Sequence, residues 1–292
     1  MRQTAKTSLV RCGLMLAFAA LAIGGADAQP TQTAKAPAKK AKQAVMPVEM
    51  LREQRALDLL KASAARLGAA RSMSFTATVS YEYPSKLGPA LVFTTRYDVT
   101  LQRPDKFKVL TLGDGPVSEF YYDGRTMLAF APAENLVAVA DAPATIDAML
   151  KSAYDQAAIF YPFTDLVASD PYAALGDGAR LAFYIGASEQ VAGVRTEMLA
   201  WANDDVFIQV WIGADDQLPR RLRAVYRADP LRLRHDMLLS DWQLDPVLAA
   251  DAFDAGKALG AQKIAFSAPV APPPGVKPLA KGKAVKSPDK AR

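Results

Sequence analysis

The chain is 292 residues long, 51% apolar and 22% charged, with 35 basic against 30 acidic side chains, one cysteine and one histidine. A single cysteine cannot close a disulfide within the chain, and a single histidine cannot build a multi-histidine metal site. The positive charge sits at the ends, because residues 51–266 hold 22 basic and 27 acidic groups. A nucleic-acid binder concentrates basic charge on the folded face that docks, so that class is disfavoured.

Residues 1–28 have the pattern of an export signal. Arg2, Lys6 and Arg11 form a basic start, and Leu14 to Ile23 is an apolar run. That run is about half of the roughly 20 residues that cross a bilayer. Ala26-Asp27-Ala28 then places small residues before a cut at Gln29. The expectation is export to the periplasm with processing before Gln29. Cys12 precedes the apolar run, which is the wrong side for a lipoprotein's acylated cysteine, and the processed chain holds no cysteine.

Residues 29–49, opening "QPTQTAKAPAKKAKQ", and residues 267–292, "SAPVAPPPGVKPLAKGKAVKSPDKAR", are rich in Ala, Lys and Pro with few large apolar groups. This is the composition of disordered, extended chain. Both read as solvated linkers, with peripheral attraction to anionic lipid head groups or cell-wall polymer as the alternative. Residues 50–266 contain no proline-rich break and no repeat, so one domain is expected there.

The segment "MLREQRALDLLKASAARLG" places Met50, Leu57, Leu60, Ala64 and Leu67 on one stripe, which predicts an amphipathic helix ending at Gly68. Then "SMSFTATVSYEY" alternates, with Met73, Phe75, Ala77, Val79, Tyr81 and Tyr83 facing one way. The next run repeats the pattern through Leu91, Phe93, Tyr97, Val99 and Leu101, and shorter strands are expected near 106–112, 117–122, 126–130 and 136–140. Asp123-Gly124 is a hairpin turn signal.

Helical spacing replaces alternation in "DAPATIDAMLKSAYDQAAIFYPFTDLV". Asp141 is a candidate cap, Pro143 fits a first turn, and Ile146, Met149, Leu150, Ala153, Ala157 and Phe160 recur on one face until Pro162. Five more strands are expected near 180–188, 194–203, 206–212, 219–227 and 233–243. Their short connections imply antiparallel neighbours. The result is a mainly β fold of about eleven strands whose apolar face the helices cover.

"WIGADDQLPRRLRAVYRADPLRLRHDM", Trp211–Met237, packs six arginines and the lone histidine into two of these strands. Alternation puts Leu222, Ala224, Tyr226, Leu231, Leu233, His235 and Met237 on one side. Arg221, Arg223, Arg227, Arg232, Arg234 and Asp236 take the other, the pattern of a solvated outer face. No nucleophile has an identifiable base, and "GDG" at Gly113 and Gly176 is turn chemistry rather than a phosphate loop. Asp204-Asp205 and Asp215-Asp216 are adjacent acids in turns, where carboxylates face water. The expectation is that the chain is not an enzyme, and no cofactor is indicated.

"FYYDGRTMLAFAPAENLVAVA", "VWIGADDQLPRRLRAVY" and "LLSDWQLDPVLAADAF", in this order around a helical insert, resemble the periplasmic lipoprotein-carrier superfamily typified by LolA and LolB. The chain is most similar to a family of predicted periplasmic proteins within it, over roughly residues 50–266. The resemblance implies an unclosed antiparallel β-barrel with an N-terminal helix and a helical lid, whose concave side holds acyl chains. Two departures stand out. There is no lipidated cysteine, and "DAFDAGKALGAQKIAF" lacks the proline pair expected of relatives.

On this reading the function is hydrophobic-ligand binding or carriage of a lipid or lipoprotein acyl chain in a groove between the sheet and the helix at 143–160. The lining residues are Phe75, Val79, Tyr81, Phe93, Tyr97, Val99, Tyr121, Met149, Tyr154 and Phe160. Ordinary core packing is the alternative for each. For the whole chain the alternative is an envelope sensor or protein-interaction module that uses the same fold without lipid.

Overall fold

The computed structural model describes residues 52–176 and 178–268. The expected export signal, the basic linker and residues 269–292 of the tail lie outside the described residues. Helix α1, Gln54–Ala69, buries Ala56, Leu60, Ser63, Ala64 and Leu67 along one stripe. Met50 also lies outside the described residues. The helix runs through Gly68, against which Pro171 packs, and Ala70 turns the chain into extended structure.

Twelve strands form one sheet. They are β1 Ser72–Tyr83, β2 Leu91–Gln102, β3 Lys106–Gly113, β4 Ser118–Tyr122, β5 Thr126–Ala131, β6 Leu136–Asp141, β7 Leu181–Val191, β8 Val194–Ala202, β9 Val206–Gly213, β10 Pro219–Tyr226, β11 Arg234–Leu244 and β12 Gln262–Ile264. The first eleven fall within three residues of their expected positions. The twelfth was not expected, because three exposed residues are too few to show alternation. It pairs parallel with β6, and every other pairing is antiparallel.

The order β12-β6-β5-β4-β3-β2-β1-β11-β10-β9-β8-β7 joins two meanders through β1 and β11, where Val79 faces Met237 and Tyr81 faces His235. The edge strands β12 and β7 do not pair with each other, so the barrel is unclosed. This order also explains the helical cover. Strands β6 and β7 are consecutive in sequence but ten places apart in the sheet, so the chain between them crosses one face.

That crossing holds α2 Ile146–Ala157, α3 Thr164–Val167 and α4 Pro171–Gly176. Helix α2 begins later than expected. Thr145, not Asp141, is its cap, with the hydroxyl accepting from Ala148 N at 3.3 Å, while Asp141 ends β6. Ala158 closes it in the left-handed conformation, before Phe160 and Pro162 are reached. The main core lies between this cover with α1 and the inner face of the sheet. A smaller core lies on the other face, where Ala258 packs on Phe130 and Val137.

Candidate functional site

Strand register sorts the side chains into inner and outer faces. Phe93, Tyr81, His235, Ala224, Ile208 and Trp201 form one inner row across β2, β1, β11, β10, β9 and β8. Toward β3 to β6, the inner face carries Phe107, Phe120, Tyr122 and Met127. The helices do not treat these regions alike.

Under α2 the inner face is sealed. Met149 and Ala153 have no exposed surface, nor do Phe107, Tyr122 and Met127 of the facing strands. A side chain with no accessible surface cannot border a void that admits water, and therefore cannot border one that admits an acyl chain. Tyr161, just after α2, packs its ring against Phe107, Phe120, Tyr97 and Phe163. Burial pushes its hydroxyl pKa well up. Beneath α1, a cavity of about 20 Å³ is bordered by Leu60, Trp201, Val210 and Leu222. That volume has room for about one water.

At the end where β1 and β10 finish and β2 and β11 begin, the inner face stays open. Tyr81, Phe93, Tyr97 and His235 are half-buried there, and Tyr226 is exposed. Tyr81 stacks on Phe93 at 5.8 Å, Tyr83 meets Phe93 edge-on at 6.2 Å, and Tyr226 meets His235 edge-on at 5.3 Å. Desolvation holds His235 below the usual histidine range, so its neutral form is favoured. Helix α3 roofs one side. Its capping residue Phe163 packs on Phe75 at 5.5 Å and Tyr97 at 5.4 Å.

Desolvation pushes the Tyr226 phenol pKa up, with a smaller contribution from the charge of Asp165 on α3. Desolvation likewise holds the Asp165 carboxyl above the ordinary carboxylate range, although the side chain keeps contact with solvent.

The ten expected lining residues therefore divide. Phe75, Val79, Val99 and Met149 are buried core residues, so the groove expected between the sheet and α2 is filled in this conformation. Tyr81, Phe93 and Tyr97 come together at the open end. Tyr121 lies on the outer face opposite Lys108, its hydroxyl donating to Glu119 at 2.6 Å. Tyr154 and Phe160 are 58% and 60% exposed, Tyr154 on the outward side of α2 and Phe160 past its end.

Sequence reading omitted Tyr226 from the lining, although alternation placed it on the correct face. It also missed Arg103, in the β2–β3 connection, which donates from Nε to Ala70 O at 3.3 Å and from Nη1 to Val167 O at 3.0 Å. That guanidinium ties the ends of α1 and α3 to the sheet, and cations are favourable at helix C-termini.

The arginine-rich segment lies on the outer face as expected. Arg221 donates from Nε to Asp236 at 2.8 Å and lies over the Trp211 ring at 4.9 Å, while Arg234 pairs with Glu82 of β1. These side chains decorate the wet side and do not reach the cleft. Among the described residues, no group of three or more His, Cys, Asp or Glu could hold a metal ion.

No curated protein sequence matches the chain. Among solved structures, a chain of the Pseudomonas aeruginosa MucA/MucB complex is 19% identical with a TM-score of 0.40, covering 72% of this chain. The alignment spans only 64% of the length of that chain. The Mycobacterium tuberculosis lipoprotein LppX is 13% identical with a TM-score of 0.43, over 68% of this chain and 99% of its own. A LolA superfamily protein from Nitrosomonas europaea is 12% identical with a TM-score of 0.31, over 69% of this chain and 98% of its own. The family model described as "Predicted periplasmic protein (DUF2092)" matches residues 56–267, and this periplasmic chain belongs to that family.

Proposed function

We propose that the chain is a non-catalytic periplasmic binding protein for amphiphiles, lipids or lipoprotein acyl chains, seated at the open end of the inner face. The observation that carries this reading is the contrast along one face. Apolar residues are sealed under α2, while Tyr81, Phe93, Tyr97 and Tyr226 keep exposed ring surface. Each methylene transferred from water onto such surface contributes about 0.8 kcal/mol, so a chain lying on four rings binds without a deep tunnel. The test is organic extraction of protein purified from the envelope, with mass spectrometry of what is released, beside titration with a fluorescent fatty acid. Release of a lipid together with saturable binding supports the reading. Extracts free of lipid with no binding of the probe overturn it.

A second reading is an envelope sensor or protein-interaction module. What supports it is the filled interior, where Met149 has no exposed surface, since a protein partner needs only a surface. Capture of one stoichiometric envelope protein by lipid-free chain supports this reading. Lipid release without such a partner overturns it.

A further inference from the structure

Two neighbouring turns at the open end present leucines to solvent. Strands β1 and β2 stay paired out to Tyr83 and Leu91, whereas β11 stops at His235 opposite Tyr81 and β3 at Gly113 opposite Thr95. The β1–β2 hairpin therefore projects past both neighbours, with Leu87 near its tip 91% exposed and Leu91 and Val92 exposed behind it. Beside it, the β10–β11 turn carries Leu231, 60% exposed. The Arg234 N–H donates to the Glu82 carboxylate at 3.0 Å, which joins the two turns. The same arrangement fixes each leucine. The Ser85 hydroxyl accepts from the Leu87 N–H at 3.0 Å, and the Asp229 carboxylate accepts from the Leu231 N–H at 3.0 Å.

Charge at these turns departs from that of the whole domain. Residues 82–92 and 226–234 hold four basic and two acidic side chains, against 22 basic and 27 acidic over residues 51–266. Arg234 and Glu82 neutralise each other, and Asp229 is engaged by the N–H groups of Leu231 and Leu233. Among the described residues, Lys86, Arg227 and Arg232 form no ion pair. The flanking turns add Asp114, engaged by the Thr94 N–H at 2.7 Å, Asp204, paired with Arg180, and Asp205.

We propose that this rim seats on an anionic phospholipid bilayer, with Leu87 and Leu231 entering the head-group layer and Lys86, Arg227 and Arg232 meeting lipid phosphates. The leucines gain by leaving water, and the cations gain from the negative surface potential. The acid excess over the rest of the domain is repelled by the same surface, which orients the rim toward it. A bilayer deforms round convex tips of any shape, whereas a protein partner needs a matching concavity for each turn. Docking this way turns the Tyr83, Phe93 and Tyr226 rings of the open end toward the lipid. The inference is independent of the amphiphile reading, because docking needs no bound ligand.

The experiment uses the full chain from Gln29, which holds no cysteine, with vesicles of phosphatidylcholine alone or mixed equally with phosphatidylglycerol. Wild type is expected to float with the anionic vesicles and to stay behind with the neutral ones. An environment-sensitive dye at Ala90→Cys should shift to the blue on anionic vesicles. The same dye at Val247→Cys, an exposed site beyond the opposite end of β11, should not. Leu87→Asp with Leu231→Asp should lower partition about tenfold, and Lys86→Gln with Arg227→Gln and Arg232→Gln should do the same. The melts should stay close to that of wild type, because all five side chains are exposed. The dye pair keeps the test open if a variant folds poorly. Wild-type binding that both variants retain comes from the basic ends of the chain and overturns the inference, as does an equal shift at the two dye positions. Failure to bind either vesicle overturns it as well. Stoichiometric capture of an envelope protein that Leu87→Asp abolishes, without vesicle binding, assigns the tips to a protein partner and overturns it too. None of these outcomes touches the amphiphile reading, whose test is lipid release and probe binding in solution.

Discussion

The inner face has two ends built from the same kinds of residue and finished in opposite ways. Phe107, Tyr122 and Met127 share one core with Ile146, Met149 and Ala153 of α2, with essentially no surface left. Across the sheet on β2, β1 and β10, Phe93 meets Tyr81 and Tyr83, Tyr226 meets His235, and these rings keep surface open to solvent. Apolar composition alone does not distinguish a core from a cleft. The difference is where the crossing chain between β6 and β7 lays a helix and where it lays a four-residue turn of helix with an acid in it.

The largest expected effect breaks the sealed end. Met149→Asp buries a charge with no partner, at a destabilisation of about 3–5 kcal/mol. A melt by circular dichroism should therefore fall steeply, and any loss of ligand should track unfolding. A normal melt with lost ligand would mean that the sealed end opens and holds the ligand itself. Next, Phe93→Ala should weaken a bound dodecyl chain about tenfold, consistent with one ring's apolar contact. Its melting temperature should change far less than that of Met149→Asp, because Phe93 is only half-buried. A large drop in stability would class Phe93 with the core.

Acid sharpens the comparison by sign. Backbone N–H groups of Ser72 and Arg71 hold the Asp245 carboxyl below its ordinary range. Its contribution is present above the unfolded carboxylate pKa and is lost as pH falls through the lowered folded value. His235 is lowered by desolvation, so its contribution is lost as pH falls through the ordinary histidine value of about 6.5. Asp165 is raised by desolvation and acts oppositely, taking up a proton more readily folded than unfolded. His235→Gln should flatten the decline in melting temperature between about pH 7 and 5, and Asp245→Asn should flatten the part below about pH 4. Asp165→Asn should not lower the neutral-pH melt. The smallest effect is expected for Arg223→Gln with Arg234→Gln, a melting temperature close to that of wild type with ligand affinity unchanged, since both lie on the wet face. Lost affinity with an unchanged melt would move the functional surface to the arginines.

Adjacent aromatics show where the sequence stops being legible. "FYY" at Phe120–Tyr122 contains two inner residues and one outer one, and runs of like residues carry no alternation to sort them. Tyr121 was therefore expected in the lining, whereas Phe120 and Tyr122 face inward. The wide apolar spacing from Ile146 to Phe160 marked α2 correctly, yet Phe160 lies past its end because Ala158 turns left-handed. The two short helices after it were not legible at all, since four to six residues hold too little periodicity to separate from loop.

Sequence by itself determined the first eleven strands, the faces of those that alternate and the wet arginine side, because period-two alternation is a local property that each such strand carries whatever its partner. The tertiary structure alone decided that β1 pairs with β11 and that β6 and β7 lie far apart. It also decided that the α3 cap brings Phe163 onto Tyr97 across 66 residues of chain. Contacts between distant segments depend on how the whole sheet twists and where the crossing chain finds room. No window of neighbouring residues encodes that, so the sealed end and the open end look alike until the chain is folded.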